Sequence, residues 1–121
     1  MAFINNDVLD AALAVVVSDT TDLHICSDSP TDFASAASAS LGVVSNPSFT
    51  GPLTPDAGGR SITVDAITNG DVTASGTATH FALVDASDSR LLAAGVLDAS
   101  VSVSEGNTFT LSAFDIRFPA L

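Results

Sequence analysis

From Asp7 to Val17 the apolar positions Val8, Leu9, Ala12, Leu13, Val16 and Val17 recur at helical spacing. Asn5, Asn6 and Asp7 stand immediately before them, and all three are residues that start helices. The pattern predicts a helix over about 7–17. A turn, "SDTTD", follows, and "LHICS" over 23–27 reads as a short strand. In "SDSPTDFASAASASLG", Thr31 is placed to cap one or two helical turns through Ala37, and Gly42 closes the stretch. Residues 43–59 carry Pro47, Pro52, Pro55, Gly51, Gly58 and Gly59 and show no regular period. They predict a long irregular excursion, of the kind that in a compact domain is functional, disordered or docked on a neighbour.

From Arg60 the pattern becomes that of strands. "RSITVDAI" alternates, and "TNGD" over 68–71 has the Asn-Gly signature of a tight hairpin turn, with "VTASG" as the return strand. "THFALVD" and "RLLAAGVL" flank the turn "ASDS" and predict a central hairpin. "ASVSVS" leads to a turn at Glu105, Gly106 and Asn107. In "TFTLSAFDIRFPAL" one apolar set is Phe109, Leu111 and Ala113, and the next is Phe114, Ile116 and Phe118. The register therefore changes between Ala113 and Phe114. A one-residue bulge would do this, and so would a strand that leaves one sheet and enters another. These elements predict a mainly β single domain over 1–121, an antiparallel β-sandwich or open barrel with one N-terminal helix and its β body over about 60–118.

Composition narrows the function classes. Three Arg and no Lys face thirteen Asp and one Glu, for a formal net charge of −11. Such a surface repels phosphates, so nucleic acid is excluded as a partner of a basic footprint, and an anionic membrane is equally unfavourable. The apolar segment Leu9 to Val17 is interrupted by Asp10, lacks a basic leader and is too short to span a bilayer. Neither a signal peptide nor a membrane span is expected. Cys26 is the only cysteine, so no intramolecular disulfide is possible.

Candidate chemistry is sparse. His24 and Cys26 lie two apart on a strand and share a face, the proximity a thiolate–imidazole pair requires. No residue is placed by the sequence to orient His24, and a buried thiol beside a hydrogen-bonded histidine explains the spacing as well. His80 reads as a core or interface histidine. The Asp pairs 7/10, 19/22 and 85/88 carry oxygen ligands of the type calcium takes, but each sits where a turn or helix start accounts for it. "AGGR" over 57–60 precedes a strand and lacks the rest of a phosphate loop. The expectation is therefore no catalytic residue, no metal and no cofactor. Arg60, Arg90 and Arg117 are the permanent cations, each expected to pair with a carboxylate. Phe49 and Leu53, with Arg60 and Arg90, are the candidate interface residues.

The segments "LDAAL", "LHICSDSPTDF", "LG" at 41–42, "GRSITVDAI", "GDVTASGTATHFALVD", "SRLLAAGVL" and "GNTFTLSAFDIRFP" span most of the chain from Leu9 to Pro119. In them the chain resembles a group of small proteins encoded among the virion structural genes of tailed bacteriophages and related prophages. Residues 43–59 are not well matched. The resemblance implies a structural virion protein made in the host cytoplasm. Its leading form is a capsid decoration (cement) protein on the head surface, a homo-oligomer or multi-copy assembly in contact with the major capsid protein or other virion subunits. A tail, neck or fibre-base component is the alternative. From another class comes a small ligand-binding or hydrolase domain using His24, Cys26 and His80, which a converging polar pocket would support.

Overall fold

The computed structural model describes residues 5–53 and 60–118. Helix α1 (Asn6–Asp19) starts where Asn5 accepts the Asp7 amide at 2.7 Å, which satisfies one of the free donors of the first turn. It stops at Thr20, whose backbone is extended. Leu9 and Leu13 are buried, while Val8 and Val15 face outward. The buried side rests against strands described below.

Strand β1 (Asp22–Cys26) is followed by a second helix, α2 (Phe33–Ala39). The expected one or two helical turns form and run on to Ala39, with Asp32 and not Thr31 as the cap. Asp32 accepts the Ser35 amide at 2.7 Å, and Ser35 Oγ accepts the Asp32 amide at 3.0 Å, a reciprocal capping box. Then come β2 (Ser40–Ser45), β3 (Phe49–Leu53), β4 (Arg60–Val64), β5 (Ile67–Val72), β6 (Gly76–Asp85), β7 (Arg90–Val103), β8 (Thr108–Leu111) and β9 (Phe114–Phe118). Six strands form one sheet in the order β7-β6-β1-β2-β5-β8, and three form another in the order β3-β4-β9. Every pairing is antiparallel.

The mainly β, antiparallel class is as predicted, and the sheets do not close into a barrel. Between them lies the main core. Leu23, Ile25, Phe81 and Leu83 from the six-stranded sheet are buried with Val64 of β4, and Phe49, Phe114 and Ile116 pack on this cluster half-buried. Helix α1 covers β3 and β4 and reaches β6. Arg60 locks it there, with Nε 2.6 Å from Asp10 Oδ1 and an N–H bond of 3.1 Å to Oδ2. On the outer face of the larger sheet, α2 buries Cys26, Ala82, Val84 and Ala36 in a second, smaller cluster with Phe33, Ala39 and Leu91.

Four expectations are corrected here. The stretch 43–59 is not irregular throughout: it completes β2 and forms β3, paired through Phe49 with Val64 and through Leu53 with Ser61. Residues 54–59 lie outside the described residues. The Asn69-Gly70 pair is not a turn but lies inside β5. At 65–66 the chain instead passes from one sheet to the other, β4 and β5 joining different sheets. Gly70 is there because a Cβ would fall 2.2 Å from the Phe109 ring, and that ring also lies over Gly42 of β2. The β6–β7 hairpin forms as predicted, with Asp85 opposite Arg90, but it is not central, because β7 is an edge strand. Its apolar outer residues are explained by α2, which packs against Leu91. Finally, the β body begins with β1, well before Arg60. Of the two readings of the register change at Ala113–Phe114, the second holds: β8 belongs to the six-stranded sheet and β9 to the other.

Candidate functional site

The six-stranded sheet curls far enough that its two edges, β7 and β8, line one cleft. This seam is a concave feature among the described residues. Its volume is about 510 Å³. Three local features of the sequence build it.

The first is a wide bulge in β7. His80 pairs with Val96 and Ala78 with Val101, so Leu97 to Ser100 stand opposite the single residue Thr79. The extra residues turn β7 and carry Leu97 and Ala99 to the cleft wall. The second is the crossing from β8 to β9 at Ser112 and Ala113, which places Leu111 on one side and Phe114 on the other. The third is the floor, where Phe81 and Phe114 meet with ring centroids 4.6 Å apart and planes inclined at 47°. Such tilted pairs contribute about 0.5–1.5 kcal/mol beyond area burial. Gly95 lies across from Phe81, and a Cβ there would come within 2.9 Å of the ring. Thr110, Ser112 and Asp115, whose carboxylate accepts the Thr63 hydroxyl at 2.8 Å, also line the cleft, and its exposed lining is more polar than apolar. Val96, at the rim, is 71% exposed.

Among the described residues, His24, Cys26, His80, Phe49, Arg60 and Arg90 do not line this cleft. His24 and Cys26 do share the outer face of β1, but each bonds elsewhere. His24 Nδ1 is 2.8 Å from Ser40 Oγ, and the Ser40 hydroxyl donates to the Gly42 carbonyl. Cys26 Sγ points at the Ala36 carbonyl, 3.8 Å away, under α2. His80 Nδ1 pairs with the neighbouring Thr79 hydroxyl at 2.7 Å. No thiolate–imidazole pair is formed by these groups. Burial pushes the Cys26 thiol up to about 11. At pH 8 its thiolate fraction is then about one part in a thousand, against about a quarter for a free cysteine. We expect alkylation of native Cys26 by iodoacetamide to be over about a hundredfold slower than in denaturant. Comparable rates would show the thiol to be accessible and contradict the packing under α2.

The candidate interface residues are engaged within the chain. Phe49 packs on the core and Arg60 holds α1. Arg90 is bonded to Asp85 at 2.8 Å and to Asp19 at 3.0 Å, with Asp88 at 3.7 Å. The side chains of Leu53 and Arg117 lie outside the described residues. Asp85 is buried, accepts the Ser87 amide and a longer bond from the Asp88 amide, and is held below the usual carboxylate range first by the Arg90 hydrogen bond. The Asp85–Asp88 and Asp19 positions are thus organised around an arginine. Among the described residues no group of three His, Cys, Asp or Glu is arranged to hold a metal, and no helix is long and apolar enough to cross a membrane.

His24 yields a second prediction. Burial lowers its pKa below 6.5, opposed in part by Asp22. The folded state then binds fewer protons than the unfolded chain, so this group's contribution is present above about 6.5 and is lost as pH falls through that value. Falling pH also relieves the self-repulsion of a chain at −11. The comparison must therefore be with His24→Gln. Between pH 7.5 and 5 the wild type is expected to lose thermal stability relative to the variant. A pH-independent difference would contradict the assignment.

The chain matches no family model, no curated protein and no solved structure. Val96, Leu97 and Asp115 were not singled out by the sequence reading and Phe114 was noted only for the register change before it, although that change and the two-sided apolarity of β7 were signals of this region.

Proposed function

We propose that this chain is a structural protein of a tailed-bacteriophage virion, a capsid decoration protein that stabilises the head by contacting the major capsid protein, and that it acts by binding without a catalytic step. One observation carries the reading furthest. His24, Cys26 and Arg90 are occupied in contacts that hold the fold and His80 bonds the neighbouring Thr79 hydroxyl, while a seam of mixed apolar and polar lining stays open to solvent. A clamp needs a rigid body and a surface for its neighbour. The β core supports the first requirement and the seam supports the second. The resemblance of its segments to small virion proteins gives the context, and strong acidity suits an outer particle face, since it keeps particles apart and keeps the protein off packaged nucleic acid.

The test is imaging of heads assembled with and without the protein. The proposal expects added density repeating over the capsid lattice, together with greater resistance of the decorated heads to heating. Density confined to the neck, tail or fibre base would replace it with the alternative virion position. Absence from purified particles would end the virion reading altogether.

A further inference from the structure

We propose that the seam cleft receives an extended segment of a partner protein in which an apolar side chain is flanked by lysine or arginine. The inference stands apart from the virion assignment, since it rests on the cleft alone. Shape comes first. Phe81, Leu97, Leu111 and Phe114, with the polar Thr110, Ser112 and Asp115 beside them, line a space of about 510 Å³, within the roughly 300–1,000 Å³ typical of binding pockets. Val96 at the rim leaves 71% of its surface in water, an apolar exposure that a partner would cover.

Backbone comes second. Both walls are edge strands. An edge strand leaves a row of peptide groups unpaired, and an extended chain is the partner that satisfies them. The bulge in β7 interrupts continuous pairing there, so a lodged side chain and a short backbone contact suit the site better than a long added strand.

Charge decides the occupant. The chain carries a formal −11. Arg60 and Arg90 are ion-paired within the fold, and Asp115 stands exposed at the mouth with Thr63 bonded to one oxygen. A second copy would bring the same excess negative charge to the contact and be repelled. A segment bearing cations is attracted and oriented.

The test uses the full chain and three peptides: alternating arginine and leucine, the same with serine for leucine, and the same with glutamate for arginine. At low ionic strength the first is expected to shift the amide resonances of Leu97, Ala99, Thr110 and Ser112 saturably. The serine peptide is expected to bind at least about tenfold more weakly, as the loss of a buried leucine implies, and the glutamate peptide not measurably. Ala99→Trp fills the cleft from an exposed position and is expected to weaken the first peptide at least about tenfold with little change in Tm. Equal binding of the serine peptide would mean diffuse charge attraction and overturn the proposal. Equal binding of the glutamate peptide would overturn the charge argument, and with it the stated occupant. Shifts centred on another face, unaffected by Ala99→Trp, would overturn the site, and self-association through these residues would replace the partner with a second copy.

Discussion

Phe109→Ala is expected to destabilise the protein by about 3–5 kcal/mol, the larger of the two largest losses foreseen. Phe109 is 2% exposed and its ring lies over the backbone of Gly70 in β5 and Gly42 in β2. The ring fills a hollow that exists because both strands lack a side chain at that point, so truncation leaves a void with rigid walls. The reciprocal change is equally informative. In Gly70→Ala the new Cβ would fall 2.2 Å from the ring, so the ring must move. That variant should lose more than the roughly 1 kcal/mol span of strand propensities. Combining it with Phe109→Leu should cost less than the two single changes added, because each relieves the other. Urea denaturation of the four proteins measures this. Simple additivity would show that the ring and the glycine do not share the space described.

Leu13→Ala is expected to cost about 2–5 kcal/mol. Leu13 is 1% exposed on the buried side of α1, beneath which lie the strands of the smaller sheet. The helix is thus part of the core. Val8 and Val15, 58% and 43% exposed on the opposite side, supply the control: Val15→Ser should change stability by no more than about 0.5 kcal/mol. If Leu13→Ala were as mild as Val15→Ser, α1 would be an appendage rather than a layer of the fold.

Much of this architecture was legible in the pattern of apolar positions. The amphipathic spacing of Leu9, Leu13 and Val16 marks α1, and the alternation in "THFALVD" marks β6 because one face of that strand meets the sandwich interior. The register change at Phe114 announced the passage between sheets. Asn69-Gly70 misled for a physical reason. Glycine serves turns through its freedom at positive φ, but it serves strands through its missing Cβ, and the sequence does not say which property is in use. β3 was hidden because Gly51 and Pro52 mask a short edge strand, which tolerates proline where an inner strand would not. The cleft was harder still. It arises from Leu97, Leu111 and Phe114, which are far apart in the chain and meet only when β7 and β8 curl toward each other. The arginines were read correctly as carboxylate-paired for Arg60 and Arg90, yet their partners Asp10, Asp19 and Asp85 come from the fold.

Low pH tests the Arg90 cluster as a whole. Asp85 and Asp32 are held below the ordinary carboxylate value of 3.8, by the Arg90 bond in one case and by Ser35 in the other. A depressed carboxylate stabilises the fold above that value, and the contribution disappears as pH falls through the lower folded-state pKa. Arg90→Gln should therefore flatten the acid side of the stability profile while leaving the His24-linked change near neutral pH in place.

The protein is proposed to work as a component bound to a particle, in the company of capsid subunits. Its most direct test is the copy number of this chain relative to the major capsid protein, measured by quantitative mass spectrometry of purified virions. The account predicts a ratio of the same order as the capsid subunits themselves. A ratio far below that, or no chain in the particle at all, would contradict it.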